Sequence, residues 1–304
     1  MRKLFCYLVF VSAFISGCSS APKFNESLVR PWKTELNKES PSKKPFIAHF
    51  KRGSYELYYL AAHHANDPKS ETHYLLNELF QRFRPKFLVV EPIPNSEGES
   101  PDWFLRESKK GMKKNIVVGG ESSVAAVLAD ERKIPFAGGE IEHREIYEKL
   151  RRHGFSQEDV LGFYLVRQIP QWVRQKESGK DLIDIKAPPF IAHYCKTFGI
   201  ETGVCPSVSK IKDWYRSDSG KNLGSSIDPE EVAPIDGSPL FTHRISSAIG
   251  SIRDRYTLML IERYLLKYQQ VAVVYGRSHY LTLRDGIEAG MGRVVAHVLP
   301  TVER

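Results

Sequence analysis

The sequence predicts an α/β fold: a mostly parallel sheet flanked by helices, with a helical insertion in the middle of the chain. Three observations carry that reading. Short, continuously apolar runs at 87–90 and 271–274 suit strands buried on both faces. Segments of helical periodicity alternate with such runs, as βαβ units require. Polar residues gather just after the strands, where parallel strands open onto a ligand crevice.

At the start of the chain, Arg2 and Lys3 precede an apolar run over 4–15, followed by Ser16, Gly17 and Cys18. A charged beginning, a short apolar core and small residues describe a secretory signal that cannot span a bilayer. Ile15-Ser16-Gly17-Cys18 resembles the bacterial lipobox, which implies a signal peptide over 1–17 and acylation of Cys18, palmitate included. Several acyl chains give the stable anchoring that one cannot, so membrane lipid is an expected partner. Ser19 after the cysteine resembles lipoproteins of the outer membrane, so the expected location is the bacterial cell envelope, facing the periplasm. Residues 18–45, with Pro22, Pro31, Pro41 and Pro45 among polar residues, read as a flexible tether. A single folded domain is then expected over 46–304.

Within it, a strand is expected over 55–60, leading into Ala61-Ala62-His63-His64. Leu75, Leu76, Leu79, Phe80 and Phe83 recur at helical spacing, and Pro85 stops that helix. The strand over 87–90 ends in Glu91-Pro92. A helix over 122–133, a strand over 134–137 and a helix over 142–152 come next. Residues 156–216 read as helical, broken by Pro170 and Pro188-Pro189. The Gly-, Ser-, Asp- and Pro-rich stretch 217–239 reads as a long surface loop or lid, closing an insertion of about 156–240. A long helix over 245–268, a strand over 271–275, a further helix and a last strand over 294–299 complete the chain.

Composition excludes several classes. With 44 basic and 36 acidic residues the net charge is +8, which permits contact with anionic surfaces without demanding it. Lys109, Lys110, Lys113 and Lys114 form a basic run without interleaved aromatics, the pattern of a solvated helix face, and no nucleic-acid partner is expected. Cys6 would leave with the signal, so Cys195 and Cys205 are the thiols left to pair in an oxidising compartment. There is no G-x-S-x-G elbow, phosphate-binding loop, H-E-x-x-H or G-x-G-x-x-G.

The informative residues stand just after each expected strand: His63-His64, Glu91, Gly138-Gly139-Glu140, and Gly276-Arg277-Ser278-His279. Any one of these histidines or carboxylates also reads as a helix cap or a satisfied polar residue. Together, at the ends of parallel strands, they read as a cluster able to hold a divalent metal or to serve as acid and base. Gly276 would let the chain turn tightly, putting His279 at a helix start that favours a neutral imidazole.

These residues resemble the TraB/PrgY/GumN group, which includes the TIKI proteins, in a superfamily that also holds ChaN-like haem-binding lipoproteins and erythromycin-esterase-like enzymes. Ala61-Ala62-His63-His64 stands where that group has its first G-x-x-H, with Ala61 for Gly and the register open between His63 and His64. Arg84-Pro85-Lys86-Phe87-Leu88-Val89-Val90-Glu91 resembles its PD-x-V-x-VE strand. Gly119-Gly120-Glu121-Ser122 is similar to its G-x-E-M helix start, and His143-Arg144-Glu145-Ile146 to its DRDI, with His143 where Asp is usual. Arg253-Asp254 with Tyr256 resembles its RD-x-Y, and Gly276-Arg277-Ser278-His279 keeps the second G-x-x-H. The resemblance covers about 55–155 and 245–300.

It implies a divalent-metal-dependent hydrolase, the TIKI branch being peptidases, acting on a peptide or small-molecule substrate. His64, His279 and Glu91 would hold manganese, cobalt or zinc. Glu91, Glu121, Glu140, Arg144 and Arg253 would be the catalytic residues. The superfamily also implies an alternative, a haem- or ligand-binding lipoprotein, for which His73 would supply a further histidine; a third reading is a catalytically silent envelope scaffold.

Overall fold

The computed structural model describes residues 20–113, 120–174, 182–224, 227–235 and 237–300. The signal peptide and the acylated Cys18 lie outside the described residues. Among those described, six strands make one sheet: β1 (Phe46–Arg52), β2 (Tyr55–Ala62), β3 (Phe87–Pro94), β4 (Phe136–Glu140), β5 (Gln270–Gly276) and β6 (Ala296–Val298). Their spatial order is β4-β3-β5-β2-β1-β6. β4, β3, β5 and β2 run parallel, whereas β1 is antiparallel to both of its neighbours. The α/β class with a mostly parallel sheet is therefore the class of this protein.

Strand alternation sorts the core into two layers. Tyr59, Phe87, Val89, Val271 and Val273 face one side, and Tyr58, Leu60, Leu88, Val90 and Val274 the other. Helices α1 (Glu71–Glu78), α2 (Asp102–Lys113) and α3 (Gly120–Glu131) cover the second side. Helices α4 (His143–Arg152), α5 (Gln157–Arg174), α6 (Leu182–Phe198) and α7 (Val208–Ser219) form the helical insertion around a core of their own. Helices α8 (Phe241–Tyr268) and α9 (Arg277–Met291) cover the first side. The 28-residue α8 joins the cores: Ile245, Ile249 and Ile252 enter the insertion, and Leu258, Ile261 and Leu265 the sheet layer.

Three expectations are corrected, and one strand is added. Residues 20–45 are not a loose tether. Val29 and Leu36 are buried, Asn25 and Arg30 donate backbone bonds to Gly286 and Thr282 on α9, and the Phe24 N–H donates to Glu262 on α8. Composition gave no sign of this, because the segment is held by a few long-range anchors. Pro170 lies inside α5 and Pro188-Pro189 inside α6 without ending either helix. The neighbouring Ile169, Ala187 and Ile191 are buried, and tertiary packing overrides the local cost of proline. The 217–239 stretch is no open lid. Leu223 and Ile227 are buried, and Glu231 accepts a hydrogen bond from Tyr215 at 2.5 Å. Finally, β1 is a strand that the sequence pattern did not predict: it pairs with β2 across the Gly53-Ser54 turn.

A disulfide joins Cys195 on α6 to Cys205, ten residues on. Closing so short a loop restricts the unfolded chain, and reduction or Cys205→Ser is expected to cost about 2–3 kcal/mol. Urea denaturation with and without reductant checks this. An unchanged midpoint would mean that the bond adds nothing to the packing of Cys195.

Candidate functional site

The carboxyl ends of β2, β3, β4 and β5 open onto one crevice of about 450 Å³. Each strand delivers one element. His64 follows β2 and Glu91 stands within β3; Glu140 ends β4, and Gly276 ends β5 before α9 starts. The sheet register sets them abreast, with Ala62 opposite Gly276 and Val90 opposite Val274. Helix α8 adds Ile249 and Arg253 to the lining, and its Asp254 stands in the neighbouring cleft.

His64 rather than His63 faces the crevice. Its Nδ1–H donates to Glu121 Oε1 at 2.6 Å, and Glu121 Oε2 accepts from the Ala65 N–H at 3.3 Å. Glu121 is 5% exposed while His64 is 68% exposed, so a buried carboxylate fixes an open imidazole. That hydrogen bond to Glu121 raises the His64 pKa to about 8, against the pull of desolvation. His63 turns the other way: its backbone exchanges two bonds with Thr72, and burial lowers its pKa.

His279 is built in the same manner, on the Arg253 side of Glu91 and outside the lining of the crevice. Its Nδ1–H donates to Asp254 Oδ1 at 2.5 Å, and Asp254 Oδ2 accepts from Thr282 at 2.7 Å. Burial disfavours its protonated form, but Asp254 and then Glu91 outweigh burial and raise its pKa. This reverses the expectation of a neutral imidazole at the start of α9. A full carboxylate in contact outweighs the partial charge of a helix end. Gly276 also has another purpose than a tight turn. Its φ is ordinary, −56°, but a Cβ there would come within 3.2 Å of His64 Nε2 and 3.5 Å of Glu91 Oε2.

Glu91 stands between the two imidazoles. Its Oε2 accepts from the Gly276 N–H at 2.8 Å, and its Oε1 lies 3.6 Å from His279 Nε2 and 3.4 Å from Arg253 Nη2. Burial works against ionised Glu91, but His279, Arg253, His64 and the Gly276 N–H together hold its pKa below the usual carboxylate value. Arg253 clamps Glu140 with two bonds, at 2.7 and 2.5 Å, and the Tyr275 hydroxyl adds a third to Glu140 at 3.2 Å. Burial opposes the Arg253 charge; Glu140 and Glu91 outweigh it and keep the guanidinium protonated.

Of the residues singled out in the sequence, His64, Glu91, Glu121, Glu140 and Arg253 line the crevice, and His279 meets Glu91 from behind Arg253. Arg144 does not join them. It is 65% exposed and pairs with Glu148 one turn along α4. His143 takes its place at the crevice, its Nδ1 lying 3.2 Å from the Tyr164 hydroxyl. His73 is 3% exposed, with Nδ1 bonded to the Asp67 carbonyl and Nε2 sealed from solvent, so it presents no surface ligand to haem. The basic run behaves as a solvated face as far as it is described: Lys109 pairs with Asp130 and Lys110 with Glu107.

Sequence reading missed Asp254 and Arg167 as site residues. Asp254 stood in the Arg253-Asp254 motif but was given no role of its own. Arg167 is one more arginine in an amphipathic helix until the fold turns it into the crevice.

The Glu121 contact gives a direct check. In Glu121→Gln the His64 midpoint is expected to fall from about 8 back toward 6.5, followed by the imidazole proton resonances. The folded state gains from the His64 proton, so that contribution is complete below about pH 6.5 and lost as pH rises through about 8. An unmoved midpoint would show that Glu121 does not set the charge of His64.

No protein-family model matches the chain, nor does any curated protein or solved structure. Among the described residues no helix is long and apolar enough to cross a membrane.

Proposed function

We propose that the crevice is the active site of a divalent-metal-dependent hydrolase of amide or ester bonds, carried on an envelope lipoprotein anchored through Cys18. One observation supports this reading above the others. Two imidazoles, each fixed at Nδ1 by its own carboxylate, border the same glutamate, and among the described residues neither Nε2 makes a hydrogen bond. Carboxylate-anchored histidine is the usual form of a metal-ligating imidazole. The donor types also fit in charge. Arg253 pairs with Glu91 and Glu140, while Glu121 pairs with His64 and Asp254 with His279, and the raised histidine pKa values reflect those carboxylates.

His64, His279 and Glu91 would hold manganese, cobalt or zinc. Among the described residues no three His, Cys, Asp or Glu side chains already stand as a closed ligand set. The Glu91 oxygen nearest His279 is the one that Arg253 touches, so binding would require that contact to yield. A bound cation supplies a water of lowered pKa and polarises a carbonyl.

The chain's own residues have separate roles. Arg253, held rigid by Glu140, presents positive charge where an oxyanion would develop. Glu121 and Asp254 are positioning residues that fix the two imidazole rings. Glu91, its pKa depressed, stays ionised as a ligand or proton acceptor. The expected result is metal-stimulated turnover of a panel of peptides and aryl esters by the wild type and none by Glu91→Gln. Turnover by Glu91→Gln at the wild-type rate would remove this crevice from the chemistry. For the anchor, Cys18→Ala is expected to leave the lipoprotein membrane fraction; a variant that still fractionates with mature lipoproteins would refute the address.

A further inference from the structure

Arg167 on α5 is shared by two cavities. It lines the 450 Å³ crevice beside Arg253, and it also lines a second cleft of about 360 Å³ beyond Ile249. The two guanidinium groups on this wall differ. Arg253 is occupied by Glu140 and Glu91, whereas Arg167 pairs with no carboxylate among the described residues and is exposed to the cavities. Desolvation and repulsion from Arg253 disfavour its charge, yet an arginine does not give up its proton in a protein. Its guanidinium therefore faces the cavities with its donors unspent on any carboxylate among the described residues, the position from which it can take an anionic group.

The second cleft has an uneven lining that supports this. Trp32, from the N-terminal segment that runs along α9, and Phe163 give it an apolar wall. Ser247 lines it too, with an Oγ that is buried and lacks a hydrogen-bond partner. His279, Asp254 and Arg253 close the end nearest the crevice. A planar guanidinium fork beside an apolar wall matches a carboxylate attached to an apolar or aromatic group.

We propose that Arg167 is the recognition residue for a carboxylate on the substrate. That group would sit on Arg167 with its apolar neighbour against Trp32 and Phe163, leaving the bond to be cut in the adjoining crevice. This rests on the reading of the crevice as a hydrolytic site.

The test uses the full chain and two probes, N-acetylphenylalanine and N-acetylphenylalaninamide, titrated by calorimetry into wild type, Arg167→Gln and Arg167→Lys. A hydrogen-bonded charge pair predicts that the wild type binds the carboxylate at least about tenfold tighter than the amide. In Arg167→Gln the ratio is expected to fall to about one with the amide affinity unchanged, and Arg167→Lys to restore part of it. Equal affinities in the wild type, no binding of the carboxylate, or a preference that survives Arg167→Gln would overturn the proposal. The readout is binding rather than turnover. Tenfold discrimination without hydrolysis would therefore uphold the role of Arg167 while removing the hydrolase reading.

Discussion

Arg253→Met is expected to destabilise the protein by about 3–5 kcal/mol, the cost of leaving a buried ion pair without one partner. The Arg253 and Glu140 side chains are 20% and 13% exposed, and the two bonds between them are the densest charge contact in the crevice. Methionine keeps much of the volume, so the loss reports on the charges. Among the described residues Glu140 would be left with the Tyr275 hydroxyl alone, and Glu91 would lose the guanidinium that helps keep it ionised. Adding Glu140→Gln to Arg253→Met should recover part of the loss, since the stranded carboxylate then disappears. Urea denaturation of the single and double variants checks both parts. If Arg253→Met unfolds at the wild-type midpoint, the clamp between Arg253 and Glu140 does not hold the crevice together.

Phe87→Ala is expected to cost about 3–5 kcal/mol, within the range for emptying an aromatic site in a core. Phe87 opens β3, is fully buried, and stacks against both Tyr264 and Tyr268 of α8 with ring centroids 4.2 and 4.4 Å away. It pins the long helix to the sheet at the end opposite the crevice, on the strand that carries Glu91. The two tyrosines are tied elsewhere, Tyr264 to Asn95 and Tyr268 to Glu99, and cannot close fully on the gap. Calorimetric unfolding measures the loss. A loss below about 1 kcal/mol would mean that α8 resettles onto β3 without the ring.

The core strands were legible because burial on both faces leaves a continuous apolar run. Val271-Ala272-Val273-Val274 and Phe87-Leu88-Val89-Val90 announce themselves by composition alone. Strand β1 did not, because His49 and Lys51 on the face opposite Phe46, Ala48 and Phe50 break any continuous apolar run, and nothing local records its pairing with β2. The N-terminal segment misleads for a related reason. Val29 and Leu36 are two anchors in a polar, proline-rich stretch, and the backbone bonds that fix it to α9 reach more than two hundred residues along the chain.

The site was half legible. The rule that strand ends converge supplied His64, Glu91, Glu140 and His279, and the motif resemblance supplied Glu121 and Arg253. Arg144, also singled out by the resemblance, stays outside the crevice, and the residue beside it on α4, His143, lines it. Nor did pattern assign charge. The raised pKa of His279 follows from Asp254, which comes from a different element and meets it only in the folded chain.

Calorimetric titration of manganese, cobalt and zinc into chelator-treated wild type, His64→Ala and His279→Ala tests the central claim most directly. At least one of the three cations is expected to bind the wild type at one equivalent, releasing protons near neutral pH, and to bind neither variant measurably. Unchanged binding in both variants, or no binding by the wild type of any of the three, would contradict it.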